Sequence, residues 1–167
     1  MTTRTLIPVE EYLTTVYRPD CDYVDGEVLE RNLGERDHGR LQLRLGAYFL
    51  ARQAQWNTYA IVEQRVQVRP GNFRIPDVCV ILGSTDEQVL TTPPFLCVEI
   101  LSPEDRMSRV QERIDDYFAM GVAHVWVVDP ARRCAFVATA KGDLHRVTDV
   151  LRTADPIFEV PLSEIFE

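Results

Sequence analysis

The 167-residue chain is 46% hydrophobic and 26% charged, enough apolar content for one sizeable core, and no shift of composition marks a second, so residues 1–167 are read as a single domain. Its net charge of −8 argues against a protein that coats nucleic acid non-specifically, because phosphate neutralisation dominates that affinity. No run approaches the roughly 18 consecutive apolar residues of a membrane span, and Met1 to Arg4 leads into no signal-like stretch, so a cytoplasmic protein without membrane contact is expected.

Val9, Tyr12, Leu13 and Val16 recur at helical spacing, with Glu10 and Glu11 suiting the start of a short helix over Pro8 to Tyr17. Asp25-Gly26 between two apolar runs predicts a hairpin. A second helix follows, with Asp37 as its cap and Leu41, Leu45, Tyr48 and Phe49 on one face. Ile61 to Val68 alternates as one half-exposed strand, and Pro70-Gly71-Asn72 turns the chain.

Val78 to Leu82 and Phe95 to Leu101 are continuous apolar runs, the mark of strands buried on both faces. Ser102-Pro103-Glu104-Asp105 has the arrangement of a capping box with Pro at the first helical position, opening a third helix whose stripe is Val110, Ile114, Tyr117 and Phe118 and whose end is Gly121. His124 to Val128 forms a further strand, Cys134 to Thr139 and Leu144 to Val147 complete a C-terminal β-meander, and the tail is loop and a short helix capped by Ser163. The order implies an α/β (α+β) fold, a mixed central sheet flanked by helices.

Cys21, Cys79, Cys97 and Cys134 lack the close pairing of zinc sites, and three of them sit in apolar runs, so neither disulfide nor zinc is expected. Of the 18 basic residues only Lys141 is not Arg, a bias that favours bidentate phosphate contacts or reflects a GC-rich genome.

Glu99 is the most informative residue, because it puts a carboxylate inside the buried run Phe95 to Leu101, where an unpaired charge costs several kcal/mol or more and demands a partner, a proton or a metal. Asp77 heads the other buried run, directly after Pro76. If the two runs are neighbours, like charges meet in a low dielectric and must share a proton or bind a cation; oxygen ligands favour Mg²⁺ or Mn²⁺. Singly, Asp77 is as easily a turn cap and Glu99 an ion-pair partner. Arg113, on the flank of the third helix's stripe, either stabilises charge on a phosphoryl group or pairs on the surface with Glu112 or Asp116. Trp126 and Tyr117 could stack bases, but both fall on apolar faces and are read as core.

Asp25-Gly26-Glu27, His38 at a helix start, Ile75-Pro76-Asp77-Val78, Val98-Glu99-Ile100-Leu101-Ser102-Pro103, the Arg113-to-Tyr117 spacing, Gly121-Val122 and Val125-Trp126-Val127-Val128-Asp129-Pro130 together resemble the Uma2 family of restriction-endonuclease-like proteins, over about Tyr23 to Pro130. The resemblance implies the PD-(D/E)XK nuclease fold, with Asp77 and Glu99 as metal ligands beside the Ile100 carbonyl, a Mg²⁺ or Mn²⁺ ion that activates water, a nucleic-acid substrate, DNA foremost, and a homodimer. Glu27, His38 and Tyr117 match further positions of the pattern: Glu27 as a third acidic ligand or a solvated strand residue, His38 as a residue orienting phosphate or a structural one.

The chain departs from the superfamily pattern two residues after Glu99, where Leu101 replaces Lys, and at Arg113, which keeps the charge that the resembled family carries there as Lys but cannot transfer a proton. Three readings stay open at this stage: a divalent-metal-dependent endonuclease, a catalytically silent binding or assembly module of the same fold, and a small-molecule phosphohydrolase.

Overall fold

The computed structural model describes residues 5–32 and 34–166. Helix α1 (Val9–Thr14) buries Tyr12, whose ring stacks 4.8 Å from that of Tyr23 and, with Phe73, forms a small satellite core. Strands β1 (Cys21–Val24) and β2 (Glu27–Glu30) make the expected hairpin. Its two turn residues, Asp25 and Gly26, have φ of 51° and 87°, the left-handed pair that a two-residue turn requires.

Helix α2 (Arg36–Leu50) buries Leu41, Leu45 and Phe49 as anticipated, but it starts after Glu35, and Asp37 lies in its first turn rather than at the cap. After the short α3 (Gln53–Trp56), the expected single strand over Ile61 to Val68 is two: β3 (Thr58–Val62) and β4 (Val66–Arg69), which belong to different sheets. The cause is Glu63, held at φ 51°, where extended pairing cannot continue. The turn at Pro70-Gly71 leads into β5 (Asn72–Arg74).

The two apolar runs are β6 (Val78–Leu82) and β7 (Leu96–Ile100). Helix α4 (Met107–Met120) begins later than its apparent capping box. Asp105 Oδ2 instead accepts the Ser102 N–H at 2.7 Å and closes a turn before the helix, which ends at left-handed Gly121, φ 108°. Then come β8 (His124–Asp129), β9 (Cys134–Ala138) and β10 (Leu144–Val147), the expected meander. The tail adds a hairpin that sequence reading took for loop, β11 (Val150–Arg152) with β12 (Glu159–Pro161), and α5 (Leu162–Ile165), with Pro161 and not Ser163 at its cap.

The central sheet is mixed, ordered β10-β9-β8-β7-β6-β3, with only β7 and β8 parallel, joined through α4. A second sheet runs β2-β1-β5-β4. Side chains alternate across the central strands, so Val78, Val98 and Trp126 meet α2 on one face, while Cys79, Cys97 and Val127 meet Val110, Ile114 and Tyr117 of α4 on the other. Full burial of such residues stabilises by roughly 1.5–3 kcal/mol each. Trp126 and Tyr117 are both wholly buried and cannot stack bases. All four cysteines are buried free thiols.

Register sets up the site. Val78 faces Val98 across β6–β7 and Val62 faces Val78 across β3–β6. Continuing each ladder one residue puts Glu99 opposite Asp77 and Asp77 opposite Glu63, whose N–H donates to the Asp77 carbonyl at 3.2 Å. Three carboxylates thus share one row across three strands.

Candidate active site

Glu99 is fully enclosed on β7. The Tyr117 hydroxyl of α4 donates to its Oε1 at 2.6 Å, and Arg113 Nε lies 3.0 Å from its Oε2, an ion pair whose N–H is not aimed at the oxygen. Arg113 also stands 3.7 Å from Asp105, so it faces the interior carboxylates and not a surface partner. Burial is the main force raising the Glu99 pKa to about 7; Arg113 opposes the rise and the charge on Asp77 adds to it.

Asp77 is equally buried, but its surroundings act the other way. Burial alone would raise its pKa, yet the hydrogen bond from His38 and the charge of Arg31 outweigh it and hold Asp77 below the ordinary carboxylate value. Its Oδ1 is 2.7 Å from Arg31 Nη2 and 3.3 Å from His38 Nε2, and its Oδ2 accepts the Ile100 N–H at 2.6 Å. For His38, burial works toward a lower value, and the contact with Asp77 reverses the balance and raises it. The two carboxyls of the pair are thus pushed in opposite directions, Asp77 toward its charged form by His38 and Arg31 and Glu99 toward its neutral form by burial.

Three participants escaped sequence reading. Arg31, just past the end of β2, bridges Asp77 and Glu63. Gln42 on α2 donates to Glu63 Oε1 at 2.6 Å and to the Asp77 carbonyl at 2.9 Å. Glu63 had read as the outward face of a strand. The signal available for it was an acidic residue at the right distance before Asp77 to pair with it across an antiparallel ladder.

Between these groups is a cavity of about 20 Å³ lined by His38, Asp77, Glu99, Ile100, Asp105 and Arg113, among others. It is room for one water-sized particle. It adjoins an open cleft of about 300 Å³, with His38, Ser102 and Asp105 in both walls. Glu27 does not line the small cavity; it lies with Arg74 and Arg109 in a neighbouring groove that shares Arg113 with it.

The donor set suits a hard divalent cation. Four carboxylates (Glu63, Asp77, Glu99 and Asp105) meet two guanidiniums, and one carboxyl, Glu99, is driven toward its neutral form by burial and by the charge of Asp77, against the pull of Arg113. Among the described residues no group of three or more His, Cys, Asp or Glu side chains is placed to hold a metal ion.

A mixed sheet carrying a buried acidic pair on adjacent central strands, with a basic helix residue beside it, defines a nuclease-like α/β protein. The family model described as "Uma2: Putative restriction endonuclease" matches residues 9–163, and the chain belongs to that family. Membership supports a nuclease-like function. The fold resembles that of a "putative nuclease belonging to DUF820" from Anabaena variabilis ATCC 29413, with a TM-score of 0.79, 18% identity, and coverage of 96% of this chain and 97% of that one. No curated protein matches the chain. No helix among the described residues is long and apolar enough to cross a membrane.

Proposed function

We propose that this protein is a divalent-metal-dependent endonuclease that hydrolyses phosphodiester bonds, with DNA as its substrate. The observation that carries the reading is the Asp77–Glu99 pair: two buried carboxylates opposite one another in register, one held toward its charged form and the other pushed by burial toward its neutral form. Asp77, Glu99 and the Ile100 carbonyl are the residues that would hold Mg²⁺ or Mn²⁺, which supplies Lewis-acid charge and lowers the pKa of water.

The chain's own residues prepare that chemistry. His38 and the Ile100 N–H fix both oxygens of Asp77, and Tyr117 fixes one oxygen of Glu99, so neither carboxylate can rotate out of place. Arg113, permanently charged and lining the cavity, stabilises negative charge growing on a phosphoryl oxygen. As an Arg it does this without transferring a proton. Cutting both strands of a duplex calls for two such sites, which a homodimer would supply.

A second reading, a silent module of the same fold, draws support from Arg31, whose guanidinium already neutralises Asp77. Incubating a supercoiled plasmid and labelled oligonucleotides with the protein and Mg²⁺ or Mn²⁺ separates the two. The endonuclease reading expects cleavage that EDTA stops and Glu99→Gln abolishes; intact substrate with either ion at millimolar concentration favours the silent module.

A further inference from the structure

The net charge is −8, yet the arginines are unevenly placed. On α2, Arg36, Arg40 and Arg44 recur every four residues and so share one edge of the helix, Arg40 and Arg44 each directly before a buried leucine, Leu41 and Leu45. Arg133, from the β8–β9 turn, joins them to wall an open groove of about 410 Å³. That groove shares Asp37, Pro130 and Ala131 with the cleft that adjoins the Asp77–Glu99 cavity. The surface is continuous from the candidate chemistry to the arginine row.

The row goes against what a helix alone would select. Like charges at i, i+4 repel, and positive charge in the first turns opposes the helix dipole. The row's first two members are the least relieved: Arg36 is 3.9 Å from Asp37 with its side chain 93% exposed, and Arg40 has no ion pair or hydrogen bond among the described residues, whereas Arg44 donates to the Glu164 carbonyl at 3.2 Å and both it and Arg133 have partners of their own. Steps of four residues rise about 6 Å along the helix, a spacing similar to that of successive phosphates in one nucleic-acid strand. An anionic polymer would meet Arg36 and Arg40 together and continue past Arg44, whereas a single anion would meet one arginine.

We infer that the α2 arginine row, with Arg133, is the track that holds the phosphate backbone of the nucleic acid on its way into the cleavage cleft. This rests on the endonuclease reading for its substrate, and its test is separate from cleavage. The probes are a fluorescent duplex and the matching single strand, kept uncut with EDTA, with affinity followed by anisotropy between about 50 and 200 mM salt. Three proteins are compared: the parent, Arg36→Gln/Arg40→Gln, and a control, Arg18→Gln/Arg146→Gln, with the same change of charge outside the groove.

The expected result is that Arg36→Gln/Arg40→Gln weakens binding tenfold or more at about 100 mM salt and lowers the slope of log affinity against log salt by about 2, close to 0.9 for each lost phosphate contact on a duplex, while the control keeps the parental slope. An unchanged slope in the groove variant, or an equal loss in the control, overturns the track. Loss of slope in a protein that never cuts leaves the track standing and removes the endonuclease reading. Parental protein that binds neither probe removes both.

Discussion

Arg31 Nη2 stands 2.7 Å from Asp77 Oδ1, and the two side chains are only 13% and 3% exposed. The same guanidinium also reaches Glu63, so the chain carries a cation of its own at the edge of the cavity where a metal ion would draw on Asp77. A metal ion bound there would compete with Arg31 for one carboxylate.

Arg31→Met, similar in length but uncharged, should therefore tighten Mn²⁺ binding severalfold, because the ion no longer displaces a guanidinium. It should also destabilise the metal-free protein by about 3 kcal/mol, the scale of breaking a buried ion pair. Calorimetry and thermal unfolding with and without Mn²⁺ check both halves. Weaker ion binding in the variant would mean that Arg31 supports the site and does not compete for it.

Stability should fall as pH rises from about 5 to 8. Glu99, with a pKa of about 7 in the folded protein against an ordinary 4.5, holds a proton that the unfolded chain releases, so its contribution is complete below 4.5 and is lost as pH climbs through about 7. His38, also raised, acts in the same sense from its ordinary 6.5 upward. Asp77, lowered from 3.8, matters only at the acid end, where its contribution is lost as pH falls. Denaturant titrations across this range should show the decline in the parent and a flatter profile in Glu99→Gln; identical profiles would contradict the assignment to Glu99.

Tyr117→Phe removes the one hydroxyl bonded to Glu99 Oε1 and leaves that buried oxygen without its donor. A loss of about 1–3 kcal/mol is expected. The carboxyl, deprived of the bond that favoured its charged form, should titrate higher, moving the acid limb of any cleavage profile to higher pH. A stability loss with an unmoved acid limb would confine Tyr117 to packing.

Arg113→Ala should slow cleavage by about 10² to 10³, the range for removing one preorganised charge from a developing oxyanion. Arg113→Lys keeps the charge on a shorter reach and should retain more activity than Arg113→Ala. Single-turnover rates on one duplex make the comparison, and equal rates for the two variants would count against an electrostatic role.

The legible parts of the protein were those with a local cause. Asp25-Gly26 demanded its turn, the stripe of α4 showed its buried face, and Glu99 announced itself as a carboxylate among apolar neighbours. The break at Glu63 stayed hidden because the alternation of β3 carries on into β4 as though the strand were unbroken. Arg31 and Gln42 reach the site only through the packing of the hairpin and α2 against the end of β6, a relationship no local pattern records. The same holds for Asp105, which read as the acidic member of a capping box and, besides accepting the Ser102 N–H, faces Arg113.

The most direct test of the central claim is calorimetric titration of Mn²⁺ into the parent and into Glu99→Gln, a substitution that mimics the protonated carboxyl the buried site already tolerates and so should preserve the fold. The account predicts saturable binding by the parent and its loss in the variant while thermal unfolding stays cooperative. Equal binding by both proteins, or none by the parent at millimolar ion, would contradict a metal centre at Asp77 and Glu99.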